Sequence, residues 1–200
     1  MKKYVLLAII LLLFYSCKED SLNKYIFIPD KDDPRMPAYT EFGYNTFGAK
    51  YEDSYFLSSD YSSFNISYQN GKLNLCLQGC QENTENPLSE SMSLIFSFPT
   101  LPTKETYQDL AALDGITVDL TDDSCNMIIN KENQTDTLIV SNGHLIFKRV
   151  QLLRIDDEEN RAILSGTFDA KFFRNNIPET MSNGRFDLGI TEVYLYYIRE

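Results

Sequence analysis

Phe64-Asn65-Ile66-Ser67-Tyr68-Gln69 and Lys72-Leu73-Asn74-Leu75-Cys76-Leu77-Gln78 alternate apolar and polar residues on either side of Asn70-Gly71. Asn-Gly favours the positive φ angles of a type I′ turn, whose twist suits a two-residue hairpin connection. With Gln69 opposite Lys72, Tyr68 meets Leu73, Ile66 meets Leu75 and Phe64 meets Leu77. Three apolar pairs then share one face, and Ser67/Asn74 and Asn65/Cys76 share the other. Turn chemistry and register agree, which sets this segment as an antiparallel pair buried on one side.

The same text runs through the rest of the chain. Leu94–Phe98, Ile116–Leu120, Cys125–Ile129 and Thr137–Val140 read as short strands, and His144–Ile155 as a long one closed by a polar turn over Asp156–Asn160. Arg161–Phe173 pairs back, with Ala162, Leu164, Gly166, Phe168, Ala170 and Phe172 on one face. Arg185–Ile190 and Glu192–Ile198 finish the chain with opposite parities, which asks for a bend or bulge near Gly189–Glu192. Thr103–Leu113 is the one helical candidate, with Tyr107, Leu110 and Ala111 at helical spacing and Gly115 beyond its end. About ten short strands in one domain must protect their edges. The expected fold is all-β with at most one short helix: an antiparallel two-sheet sandwich, with a lipocalin-like barrel as the alternative.

The amino terminus reads as an address. Lys2 and Lys3 precede the apolar run Tyr4–Tyr15, which is too short for a spanning helix of about 20 residues but has the length of a signal-peptide core. Ser16-Cys17 follows and resembles a bacterial lipobox, with Phe14 and Tyr15 departing from its common Leu-Ala/Ser pattern. That resemblance implies a diacylglyceryl group on the Cys17 thiol and cleavage before it. Lys18-Glu19-Asp20 is similar to the export signal of Bacteroidota lipoproteins, which implies display outside the outer membrane. The domains expected are a signal peptide over 1–16, a lipidated Cys17 with an acidic, Pro-rich tether over 17–40, and one β-sandwich domain over 41–200. Within the tether, Tyr25–Ile28 reads either as an edge strand docked on the domain or as a partly buried linker.

Ile163-Leu164-Ser165-Gly166-Thr167-Phe168-Asp169-Ala170, then Asn183-Gly184-Arg185-Phe186-Asp187-Leu188, resembles the C-terminal pattern of small uncharacterised all-β domains on Bacteroidota lipoproteins. Asn45-Thr46-Phe47-Gly48-Ala49 is similar to the way such domains begin, while Lys50-Tyr51-Glu52-Asp53 stands where their hairpin would follow. The resemblance implies a compact β domain and no particular activity. By parity Phe168 and Phe186 are core residues, Gly166 and Gly184 mark close approaches or unusual φ, and Asp169 and Asp187 reach solvent or a turn. Asp136-Thr137-Leu138 resembles the short O-glycosylation motif of exported proteins in the same phylum, which makes Thr137 a candidate acceptor.

Composition narrows the function. With 18 Lys+Arg against 29 Asp+Glu and a net charge of −11, a basic nucleic-acid footprint is excluded. His144 is the only histidine, at the start of a strand with no Gly-x-Ser-x-Gly elbow, so any Ser/His/Asp or Cys/His scheme would have to use it. Cys76, Cys80 and Cys125 remain once Cys17 is lipidated. Export favours one disulfide among them, with the pairing open, against three reduced thiols. Cys76-x-x-x-Cys80 is not a zinc-ribbon spacing. Asp30–Asp33, Asp122-Asp123 and Asp156–Glu159 lack an EF-hand pattern and read as solvated turns. No spacing selects a paired-acid glycosidase couple, and no phosphate-binding loop is present. No cofactor or metal is expected. The sequence points to a lipid-anchored outer-membrane lipoprotein acting as a non-catalytic binding or assembly module, with the membrane and a glycan or envelope protein as partners. The alternatives are a periplasmic barrel carrying a small ligand and, behind it, a carboxylate-based hydrolase.

Overall fold

The computed structural model describes residues 24–60, 62–83, 90–100, 106–131, 134–155, 158–191 and 194–197. The strands are β1 (Thr46–Tyr51), β2 (Ser54–Leu57), β3 (Ser63–Gln69), β4 (Lys72–Asn83), β5 (Glu90–Pro99), β6 (Thr117–Asp119), β7 (Asn126–Lys131), β8 (Gln134–Ile155), β9 (Glu158–Arg174), β10 (Ile177–Ile190) and β11 (Leu195–Tyr197). Among the described residues one helix, α1 (Tyr107–Ala111), interrupts them. It is shorter than the Thr103–Leu113 expected; Thr106 caps it, and the Asp109 side chain closes a capping box.

The expected sandwich is replaced by a closed barrel, the second of the two closures. Neighbours run β4-β2-β1-β10-β9-β8-β7-β5, and β5 pairs back onto β4, so eight antiparallel strands form an up-and-down ring. The reason lies in strand length and bulges. Thr137–Val140 and His144–Ile155 are one 22-residue strand, β8, bent where its register with β9 shifts at Val140/Asn142, Phe147/Arg149 and Leu153/Arg154. Bulges increase local twist, so a long sheet curls until its ends meet instead of splitting into two layers.

The hairpin around Asn70-Gly71 has the register its sequence dictates: Tyr68↔Leu73, Ile66↔Leu75 and Phe64↔Leu77. Asn70 and Gly71 both hold positive φ, 53° and 72°. The alternate residues of β9 from Ala162 to Phe172 face the core as expected. Rings fill the interior. Phe98 of β5 meets Phe147 of β8 at 5.7 Å between centroids, Phe147 meets Phe186 of β10 at 5.8 Å, and Phe96 meets Phe168 at 5.1 Å. A chain of rings therefore crosses from one wall to the other, as an eight-stranded bore allows.

The paired motif of β9 and β10 has a direct physical account. Ser165↔Asp187, Gly166↔Phe186, Thr167↔Arg185 and Phe168↔Gly184 are cross-strand partners. Each phenylalanine ring lies over the glycine opposite it. A Cβ on Gly166 would overlap the Phe186 ring and the Ile146 carbonyl oxygen, and one on Gly184 would sit 2.5 Å from the Phe168 carbonyl oxygen and ring. Neither glycine is needed for its φ; both are needed for space.

Asp187 is not at the surface, contrary to its parity. It is 1% exposed because residues 24–44 pack over the outside of the barrel. Its carboxylate accepts from Thr40 Oγ1 at 2.5 Å, from the N–H groups of Phe42, Gly43 and Tyr44 at 3.1, 2.8 and 3.2 Å, and from Ser165 Oγ at 2.9 Å. The segment folds back on itself as a strap: Ile26 N–H donates to the Tyr44 carbonyl, Ala38 N–H to Ile28 and Asp30 N–H to Met36. Met36 is buried with Tyr55 and Leu57. Much of the expected tether over 17–40 is thus part of the folded body, and Tyr25–Ile28 docks on it.

Gly166→Ala and Gly184→Ala are each expected to lower stability by about 1–3 kcal/mol, the range for overpacking a filled core. Trimming the partner ring in the double variant Gly166→Ala/Phe186→Leu should recover part of the loss seen with Gly166→Ala. Chemical denaturation of the four proteins checks this.

Candidate functional site

Three features of the barrel could meet a ligand: its mouth, its charged outer wall and its buried bore. The mouth lies where β1 ends and β2 begins. Each barrel strand places one inward-facing polar residue there: Tyr51, Ser54, Gln81, Glu90, Lys131, Asp136, Arg174 and Glu179. They satisfy one another. Gln81 donates to Ser54 Oγ at 2.8 Å and accepts from Lys131 Nζ at 3.0 Å, and Lys131 also pairs with Glu90. Arg174 pairs with Asp136 at 2.6 Å and reaches the Tyr51 hydroxyl, which donates to Glu179. This ring is a self-contained polar lid over the aromatic core, and its groups are occupied with each other.

The charged wall holds an open cavity of about 470 Å³. Thr167 and Asp169 of β9, Ser182 and Arg185 of β10, Lys148 of β8 and Tyr39 of the strap line it. The β9–β10 register shifts between Met181 and Gly184, and Asn183 takes φ 55°; this irregularity opens the groove. Lys148 Nζ lies 4.9 Å from the centroid of the Tyr39 ring, a cation–π contact. Arg185 pairs with Asp30 of the strap. Asp30 also accepts the Asp32 and Asp33 N–H groups, and these bonds, ahead of Arg185, hold its carboxyl below the usual range. Burial, and then the hydrogen bond to Glu41, push the Tyr39 phenol well above its ordinary value, so it stays a neutral donor. The groove therefore offers hydroxyls, a carboxylate and two cations, a set suited to a polar ligand.

The sequence candidates fall apart in space. His144 is exposed on β8 between two carboxylates in register, Asp119 of β6 and Asp169 of β9; neither cross-strand partner is a hydroxyl or a thiol. Asp119 is held low by the Thr121 hydroxyl and N–H before any effect of His144. Asp122 turns on Ser124 in the same way. Asp33 is shared among Lys50, Arg35 and Tyr55. Among the described residues no group of three His, Cys, Asp or Glu could hold a metal ion. Cys76, Cys80 and Cys125 are free thiols. Cys76 and Cys80 lie four residues apart on unbroken β4, about 13 Å, beyond disulfide reach. Burial pushes the Cys76 and Cys125 thiols up, which keeps them protonated. Thr137 is exposed on the outer wall of β8. Cys17 and Lys18-Glu19-Asp20 lie outside the described residues, as do the side chains of Asp156–Glu159. No described helix is long and apolar enough to cross a membrane.

Sequence reasoning missed the groove because a bulge and a returning strap make it, and neither leaves a periodic mark. The one available signal was Asp187, an acid at the end of a repeated Gly-x-Phe unit.

The lid should be sensitive to pH at both extremes. Asp136 is held below its ordinary 3.8 by Arg174, so its contribution is present above that value and is lost as pH falls through the lowered one. Tyr51 is raised above 10.0 by burial and by Glu179, so its contribution is present below 10.0 and is lost as pH rises through the raised value. Amide exchange at Arg174–Ile177 measured against pH should show protection that falls at both limits, and Asp136→Asn should flatten the acid limb alone. No known family model, curated protein or solved structure matches the chain.

Proposed function

We propose that this chain is a lipid-anchored lipoprotein of the outer membrane, carried on Cys17 and facing the cell exterior, whose barrel is a non-catalytic binding or assembly module. The observation that carries the module reading is the filled bore. Rings from β5, β8 and β10 touch across it, so recognition is left to the outer walls. A closed barrel also suits the alternative, a carrier of small apolar ligands, but such a ligand would have to displace the Phe98–Phe147–Phe186 stack. Hydrolysis by paired acids finds one carboxylate, Asp169, in the groove.

The tether argument supports an orientation. Lys24 enters beside Asn45, whose amide donates to its carbonyl at 3.2 Å and whose oxygen accepts from Gly189 N–H at 2.8 Å. That is the end of β10 away from the polar lid. The seven steps from Cys17 to Lys24 span at most about 25 Å. An acylated Cys17 therefore holds this end near the membrane and turns the lid outward. The net charge of −11 opposes adhesion to an anionic surface. The groove on the strap side then faces sideways, open to hydroxylated ligands in the surrounding medium.

Cys17→Ala should abolish incorporation of radiolabelled palmitate and move the protein from the detergent phase to the aqueous phase. Wild-type protein that carries no acyl adduct and partitions into water would overturn the anchor. Protease added to intact cells should remove the wild-type domain; full protection would place it on the inner face instead.

A further inference from the structure

The wall opposite the strap has an unusual composition. On the outer face of β3, β4, β5 and β7, residues fall into three cross-strand rows. The first is Ser67, Asn74, Ser97 and Asn126. The second is Asn65, Cys76, Ile95 and Ile128. The third is Ser63, Gln78, Ser93 and Asn130. None of these positions carries a charge, in a chain of which 24% is charged. Lys72 and Glu82, on the same face of β4, bound the field at its two ends. β11 extends the first row: Tyr196 stands beside Ser67 and is 46% exposed.

From this we infer that the wall is a binding face for a neutral polysaccharide. Serine hydroxyls and Asn/Gln amides present donors and acceptors side by side, which matches the alternating donor and acceptor character of sugar hydroxyls. Asn74 Nδ2 lies a marginal 3.5 Å from Ser67 Oγ, so these two groups keep capacity for a ligand, whereas Ser63 donates to Gln78 and the Asn126 side chain is engaged by Lys72 and the Cys125 carbonyl. Tyr196 offers a ring at the edge for stacking on a sugar face.

Charge and area decide between occupants. A charged polymer would find only single charges at the two ends, Lys72, which donates to the Asn126 side-chain oxygen at 3.1 Å, and Glu82. A membrane needs an apolar or basic face, whereas this one has Ile95 and Ile128 among amides and hydroxyls. The field measures about 20 Å across the strands and 14 Å along them, roughly 280 Å², from standard strand spacings. A stable pair of protein copies buries about 800 Å² on each partner. The field is the size of a short run of sugar units.

The inference does not depend on Cys17. The test uses the purified full-length protein in detergent and measures retardation in native gels containing dextran, laminarin or yeast mannan. Polygalacturonate and chitosan serve as acidic and basic controls. The expected result is retardation by at least one neutral polymer and not by the charged ones. Ser93→Lys and Asn74→Glu should each weaken the apparent affinity at least tenfold while the melting temperature stays unchanged. No retardation by any neutral polymer would overturn the proposal, as would retardation that both variants preserve. Loss of binding in Asp169→Ala would move the ligand to the groove and equally overturn it. A dimer in sedimentation that Ser93→Lys dissociates would assign the face to a second copy instead.

Discussion

A single buried carboxylate ties the outer parts of this protein to its barrel. Taking Asp187 out of water costs several kcal/mol unless its oxygens are fully engaged. Here Ser165 comes from the neighbouring strand, and Thr40 with three consecutive N–H groups comes from the strap. Hydrogen bonds to a charged acceptor are worth about 1.5–3 kcal/mol each, enough together to offset that desolvation. The arrangement runs in both directions. The strap is held because Asp187 needs donors, and Asp187 is tolerated in the wall because the strap supplies them. Tyr39 sits in the groove, and Asp30 beside Arg185, because of that one docking.

The barrel consequently has two unlike walls. On the strap side, β1, β2, β10 and the adjoining part of β9 carry ion pairs, a cation–π contact and an irregular groove. On the other side, β3, β4, β5 and β7 present two rows of amides and hydroxyls flanking a row that is apolar at Cys76, Ile95 and Ile128. The aromatic bore between them is a rigid spacer, and the polar lid seals one end of it. A non-catalytic surface module needs a rigid body with recognition on its outside, and this division of labour fits that reading better than transport through a packed interior.

Legibility in the sequence followed the range of the interaction. The hairpin around Asn70-Gly71 was readable residue by residue, because turn chemistry and alternation are local and agree. The buried face of β9 was readable for the same reason. Closure into a barrel was not: alternation is identical in a sandwich and a barrel, and the bulges of β8 that curl the sheet leave no mark in a period-two pattern. Asp187 was misplaced because parity marks which side of a wall a residue occupies, not what later covers that side. The cysteine count left a Cys76–Cys80 disulfide open, whereas both lie on unbroken β4, where Gly79 between them makes room for the Phe47 ring and the Leu57 carbonyl. The groove depends on a register shift and a strap from 144 residues earlier in the chain, so it had no local signature.

The most direct test of the Asp187 account is native-state hydrogen exchange at the Phe42, Gly43 and Tyr44 amides, in the wild-type chain and in Asp187→Ala. The account predicts strong protection of all three in the wild type. In the variant it predicts exchange close to that of an open chain along residues 24–44, while the Gly166/Phe186 region stays protected. Equal protection of the three amides in both proteins would contradict it.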